Sequence, residues 1–296
     1  MLIYACPGQG SQSEGFLIPW LETYPELRRK LSQLSEACGR DLLRLGTDAS
    51  EEEIKDTANA QRLIVGASIA ISRIALHDRT PNGVVGHSVG EFAAAAIAGV
   101  LTDEEAIELV GIRADAMASA AKSESTSMAA ILGGEESEVL EKLSALELEP
   151  ANFNGANQIV AAGLKSQIEK LVENPPEKSK VIELKVAGAF HTRFMQSAIA
   201  SVKQAAGKLT PKDPKINLWS NVDGNLVSSG QVFLDSLVSQ IARPVRWDKC
   251  MASLNQEGAL VVELPPAGAL AGLIKRGAPL ASAVALKSVS DLEKVS

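Results

Sequence analysis

Short apolar runs alternate along this chain with longer stretches in which apolar residues recur every three or four positions. The run 2–6 (LIYAC) has a strand's length and stops at Pro7-Gly8, so it reads as a buried strand entering a glycine-rich turn at 7–12. A helix is expected from Pro25 through Leu27, Leu31, Leu34 and Cys38, stopped by Gly39. Ser50 and Glu53 have capping-box spacing, and a further apolar helix is expected at about 63–76. Residues 83–86 form a short strand leading into an alanine-rich helix at 89–99. Thr102 with Glu105 makes a second capping box, opening a helix to about 121. Strand followed by helix, repeated, implies a mainly parallel sheet covered by helices.

The middle of the chain follows a different rhythm. Strand patterns at 128–132, 151–153, 158–162 and 181–186, with helical patterns at 135–146 and 166–172, give the order βαββαβ. That order is the split unit of a ferredoxin-like module, so a small domain is expected at 124–189, inserted into a large domain made of 1–123 and 190–296. The polar stretches 122–127 and 174–179 are expected to link the two. Alternation then resumes, with helices expected at 195–208, 233–241 and 270–276 and strands at 216–220, 260–264 and 283–286.

Composition narrows the function. At 296 residues the chain can bury a large core without disulfides or a structural metal. A formal net charge of −7 argues against nucleic-acid binding, because a phosphate backbone needs a basic surface. Cys6, Cys38 and Cys250 are too far apart for metal spacing and odd in number, which fits a reducing compartment. The N-terminus lacks a basic stretch before its apolar run, so no signal peptide is expected. The longest apolar run, 92–101, is about half of what a membrane helix needs. A cytoplasmic protein off the membrane is therefore expected.

Gly86-His87-Ser88-Val89-Gly90 has the G-x-S-x-G spacing of a nucleophile elbow. Its glycines permit a sharp turn and close strand–helix approach; the bland alternative is a serine capping the helix that follows. A serine hydroxyl needs a base, and only three histidines exist. At a sharp elbow the side chain of His87 diverges from its neighbour's. His77 ends a helix, where it can cap the last carbonyls. His191, between a strand and a helix, is left as the candidate base.

The helix that begins after Thr102 carries an apolar stripe of Ala106, Leu109, Val110 and Met117, and Arg113 lies on it. An inward guanidinium must meet an anion. Either an internal Asp or Glu supplies it, or a substrate carboxylate does, through a bidentate pair.

With those residues in hand, the chain resembles the malonyl-CoA:acyl-carrier-protein transacylases along nearly its whole length. The matching segments are PGQGSQ (7–12), GHSVGEF (86–92), LVGIR (109–113), MAAILGG (128–134) and ANFNGANQIVAAG (151–163), followed by VAGAFHT (186–192), SN (220–221), PVRW (244–247) and GLIKR (272–276). The resemblance implies an α/β-hydrolase-like large domain with an inserted ferredoxin-like small domain. It implies Ser88 as nucleophile and His191 as base, with a main-chain carbonyl near Gln240 orienting the imidazole in place of an acid. Backbone N–H groups of Gln9 and Val89 would form the oxyanion hole. Arg113 would bind the acyl carboxylate, Gln61 matches a substrate-pocket glutamine of the family, and Phe190 would narrow the pocket against 2-methyl groups.

The implied activity moves malonyl from malonyl-CoA to the phosphopantetheine thiol of acyl carrier protein, for fatty acid or polyketide synthesis, with no cofactor or metal. Carrier proteins are acidic, so Lys275 and Arg276 are candidate contacts, although a solvated helix end explains them equally. A monomer is expected. Two departures from the family pattern stand out. Gln61-Arg62-Leu63 replaces Gln-Pro-Ala, which puts a different local loop shape there, and Pro265-Pro266-Ala267 replaces Gly-Pro-Gly, which stiffens a turn near the rim. Three alternatives remain: an esterase or thioesterase, which predicts an acidic partner for His191 and no inward arginine; an inactive docking or scaffold module; and transfer of another acyl unit.

Overall fold

The computed structural model describes residues 1–295 and contains two five-stranded sheets. Strand β1 (Leu2–Cys6) is followed by five helices: α1 (Ile18–Thr23), α2 (Leu27–Cys38), α3 (Leu42–Thr47), α4 (Glu51–Lys55) and α5 (Thr57–Ile74). The stripe of Leu27, Leu31, Leu34 and Cys38 is buried, and α2 ends where Gly39 takes φ 67°. At six residues each, α1 and α3 are too short for periodicity to reveal them. The first expected capping box is half formed: Ser50 accepts from the Glu53 amide, but the Glu53 carboxylate turns to Arg44 instead.

Helix α5 starts six residues earlier than its apolar pattern suggests, because the Asp56 side chain accepts from the Ala58 amide. Gln61-Arg62-Leu63 is therefore helical, and the altered loop expected there does not exist. Arg62 is buried and its guanidinium grips Asp115 through bonds of 2.9 and 2.6 Å, with a third to the Cys38 carbonyl at 3.1 Å.

Next come β2 (Gly83–Gly86), α6 (Gly90–Ala98) and α7 (Asp103–Ala121), the last opened by the complete Thr102–Glu105 capping box. The chain then enters β3 (Thr126–Gly133), α8 (Glu136–Ala145), β4 (Glu149–Gly155), β5 (Gln158–Leu164), α9 (Lys165–Glu173) and β6 (Ser179–Leu184). These strands lie in the order β6-β3-β5-β4 with every neighbouring pair antiparallel, the arrangement of a split βαββαβ unit. The polar stretch 174–179 sits inside this unit, between α9 and β6, and so links nothing; the chain leaves after Leu184. Of 122–127, Thr126 and Ser127 already belong to β3.

The return segment forms a 3₁₀ turn (Arg193–Ala198) before α10 (Ile199–Ala206), where one continuous helix was expected. Then follow β7 (Asn217–Trp219), α11 (Gly230–Ser239), a 3₁₀ turn (Gln240–Ala242), β8 (Val245–Arg246), α12 (Trp247–Leu254), β9 (Leu260–Glu263), α13 (Ala269–Gly277), β10 (Ser282–Ala285) and a last 3₁₀ stretch (Val289–Val295). The parallel sheet has the order β10-β9-β1-β2-β7, and all its pairs are parallel. Strand β8 instead extends the βαββαβ sheet by pairing with β4, Asn152 opposite Val245. The diproline turn before α13 is held by Ser68, whose hydroxyl donates to the Pro265 carbonyl at 3.0 Å. Among the described residues, no helix is long and apolar enough to cross a membrane.

Parallel strands gather their C-terminal ends along one edge, and there the loop after β1 meets the turn after β2. That turn is tight. A Cβ on Gly86 would stand 2.2 Å from the Glu91 nitrogen, and one on Gly90 would stand 2.2 Å from the Cys6 carbonyl oxygen. Gly90→Ala is expected to lower stability by about 1–3 kcal/mol by forcing α6 off β1, measured as a shift of the urea-unfolding midpoint without a change of slope.

Candidate active site

Between strand β2 and helix α6 the backbone turns so sharply that Ser88 adopts φ 51°, a left-handed conformation rare for a residue with a side chain. Asn221 holds it there: its Oδ1 accepts from the Ser88 amide at 2.8 Å, and its Nδ2 donates to the Gly86 carbonyl at 2.7 Å. The Ser88 amide is thus occupied. Those of Val89 and Gln9 meet no protein acceptor among the described residues, and both residues line the same cavity. The loop that carries Gln9 is fixed from behind by Gln12, which accepts from the Gly10 amide at 2.9 Å and donates to the Ile54 carbonyl at 3.0 Å.

His191 faces the serine, with 2.6 Å between Nε2 and Ser88 Oγ. Its own φ is 64°, so both partners of this pair sit in strained backbone. Its Nδ1 lies 2.9 Å from the main-chain carbonyl of Gln240. A carbonyl can only accept, so Nδ1 carries the proton and Nε2 is free to take one from the serine hydroxyl. Burial, with the nearby Arg113 charge, lowers the imidazole to about 3. The other histidines are otherwise engaged: His87 Nε2 lies 3.0 Å from Asn154 Oδ1 with its ring edge-on to Trp247, and His77 reaches the Ile74 carbonyl at a helix end.

Arg113 is 1% exposed and has no salt bridge to any described acid. Two amide side chains hold it, Gln61 Oε1 at 2.5 Å and Gln240 Oε1 at 3.0 Å, while Phe92 lies beneath it at 5.6 Å. Its Nε–H is buried without a partner. Burial pulls this guanidinium down from its ordinary value, and Glu91 opposes that pull. A desolvated cation held by neutral groups keeps its charge uncompensated by any described acid, a state that a bound anion would relieve.

Ser88, His191, Arg113, Gln61, Gln9, Val89 and Phe190 all line one cavity of about 450 Å³ between the two sheets, and Arg276 reaches its edge. Gln240 stands behind it, and Lys275 is exposed on α13. Two contributors had no role assigned from the sequence, although both lie in matching motifs. Asn221 fixes the turn, and Glu91 accepts from the Asn221 amide at 2.7 Å and from the Gln240 side chain. A carboxylate in the first turn of an otherwise apolar, alanine-rich helix was the available signal for Glu91. The arrangement can activate a hydroxyl, stabilise an oxyanion on two amides and orient an acyl group by a distant carboxylate.

Residues 3–291 match the acyl transferase domain model. A malonyl CoA-acyl carrier protein transacylase of Mycobacterium bovis is 47% identical over 300 residues, covering 100% of this chain and 99% of that protein. One from Escherichia coli K12 is 30% identical, covering 97% and 96%. The crystal structure of MCAT from Mycobacterium tuberculosis superimposes with a TM-score of 0.94 at 47% identity, covering 99% of each chain. A malonyl-transacylase solved with its type II PKS acyl-carrier protein gives 0.92 at 27% identity, covering 99% and 98%.

Because His191 is already neutral far below its ordinary range, its ability to accept a proton persists as pH falls and is lost only near about 3. Reaction of Ser88 with a fluorophosphonate is therefore expected to keep a constant rate between about pH 5 and 8, without the usual decline below about 6.5. Stopped-flow labelling across that range checks it; a midpoint near 6.5 would contradict the geometry's dry imidazole.

Proposed function

The chain belongs to the acyl transferase domain family, and from that premise we propose how its residues move a malonyl group from malonyl-CoA to the thiol of an acyl carrier protein. The reaction supplies fatty acid or polyketide synthesis. The observation that carries the residue assignments is the buried Arg113, held by amides alone, in one cavity with the Ser88–His191 pair.

Malonyl-CoA enters with its free carboxylate on Arg113, beside Gln61. His191 Nε2 takes the Ser88 proton as Oγ attacks the thioester carbonyl. Negative charge developing on the carbonyl oxygen is met by the Gln9 and Val89 amides, each worth about 10²–10³ in rate by analogy with other oxyanion holes. The tetrahedral intermediate collapses, and CoA thiolate leaves with the proton from the imidazolium. The carrier's thiol then attacks the malonyl-serine ester, and the same steps run in reverse. The Gln240 carbonyl steadies the imidazole through both halves. One thioester is broken and one is made, so the transfer needs no nucleotide.

The esterase alternative required an acidic partner for His191 and no inward arginine; here the partner is a carbonyl and the arginine points in. Phe190 narrows the cavity against 2-methyl acyl groups, and Lys275 with Arg276 receives the acidic carrier. Residues 124–189 act as a small domain that roofs the cavity. We place the reaction in the cytoplasm.

Incubation with malonyl-CoA and intact-mass analysis should give a single malonyl adduct that Ser88→Ala abolishes. Arg113→Ala should cut malonyl transfer by at least about 10²-fold, the loss of a buried charge-assisted pair, while sparing acetyl transfer. Continued CoA release beyond one equivalent per enzyme in the absence of carrier protein, or unchanged malonyl kinetics in Arg113→Ala, would overturn the assignment.

A further inference from the structure

Among the described residues the fully buried acids are Glu91 and Glu263. Glu263 is committed to the start of α13, accepting from the Leu270 and Ala271 amides at 3.0 and 2.9 Å. Glu91 is placed differently. It lies one side chain away from Arg113, with Gln240 between them: Gln240 Oε1 accepts from Arg113 while Gln240 Nε2 donates to Glu91 and, at 3.2 Å, to the Ser88 carbonyl. The other Glu91 oxygen accepts from the Asn221 amide at 2.7 Å. The titratable groups that face Glu91 are Arg113 from α7 and the buried Cys250 thiol from α12. Beyond Arg113 lies His191.

Resting on the proposed carboxylate role of Arg113, we propose that Glu91 sets the enzyme's affinity for acidic acyl groups. It must be uncharged while an acyl carboxylate occupies Arg113, and its ionised form competes with that carboxylate for the same cation through Gln240. Two carboxylates cannot share one guanidinium in a dry cavity without one taking up a proton. The substrate's carboxylate touches the cation directly, whereas Glu91 reaches it only through an amide, so Glu91 is the one that yields. The proton comes from solvent and rests on a Glu91 carboxyl oxygen, and no bond to carbon changes.

Burial already raises Glu91 to about 8, against the pull of the Asn221 and Gln240 bonds and of Arg113. Pairing of Arg113 with an acyl carboxylate removes part of that pull and raises Glu91 further. By reciprocity, ionising Glu91 must weaken binding of the acyl carboxylate. The sign is definite: affinity is intact below about 8 and declines above it.

Single-turnover CoA release, measured without carrier protein, tests this. With wild-type enzyme the half-saturating malonyl-CoA concentration is expected to rise about tenfold between pH 7 and pH 9, following one ionisation. The value for acetyl-CoA should stay level. In Glu91→Gln, which cannot ionise, the malonyl rise should disappear. Because a glutamine there cannot accept from both neighbours, a second measurement uses the native chain. Infrared difference spectra at pH 8.5 should gain a protonated-carboxyl band on malonylation, shifted by ¹³C-glutamate, and gain none with acetyl-CoA. A level malonyl value in the wild type, a rise that persists in Glu91→Gln, or no glutamate band would each overturn the proposal. Failure to form any malonyl adduct at pH 7 would instead sink the functional reading beneath it.

Discussion

Gln240 binds the two halves of the site into one unit. Its main-chain carbonyl takes the proton-bearing nitrogen of His191, and its side-chain amide bridges Arg113 to Glu91. A movement of this one residue would misorient the base and loosen the cation together. The residue sits in a 3₁₀ turn packed behind the cavity, almost fully buried, where Arg113, Glu91, Ser88, His191 and the Arg243 amide all bond to it. A carbonyl in place of the acid found beside many catalytic histidines suits the surroundings. An acid there would place a negative charge close to Arg113 and weaken its field in the cavity.

The same economy of charge explains the histidine. Burial and a neighbouring cation both hold the imidazole neutral, which would make a feeble base in isolation. Under the proposed assignment, a carboxylate placed on Arg113 would offset that cation and strengthen the base, so selectivity and activation would draw on one electrostatic source.

Much of this was legible in the sequence, for identifiable reasons. Ser88 stands between glycines whose spacing only a sharp turn requires, His191 could be reached by elimination among three histidines, and Arg113 broke an apolar stripe. The βαββαβ rhythm announced four strands of the second sheet. What stayed hidden depends on long-range contact. The backbone acceptor at Gln240 was implied by family resemblance alone, because a carbonyl carries no side-chain signature. Asn221 and Glu91 lay within matching motifs, but their work is done by bonds across more than 100 residues. Helices α1 and α3 and strand β8 are too short for periodicity to register, and the start of α5 was obscured by a polar first turn.

Strand β8 is only two residues long, yet this segment of the returning chain joins the βαββαβ sheet by hydrogen-bonding with β4, and the Arg246 guanidinium lies over the Phe153 ring at 4.5 Å. The two walls of the cavity are therefore tied by strand pairing as well as by the chain crossings at 122–125 and 185–192. A tie of this kind resists hinging about the crossings alone, so donor thioester and acceptor thiol meet the same frame of side chains in turn.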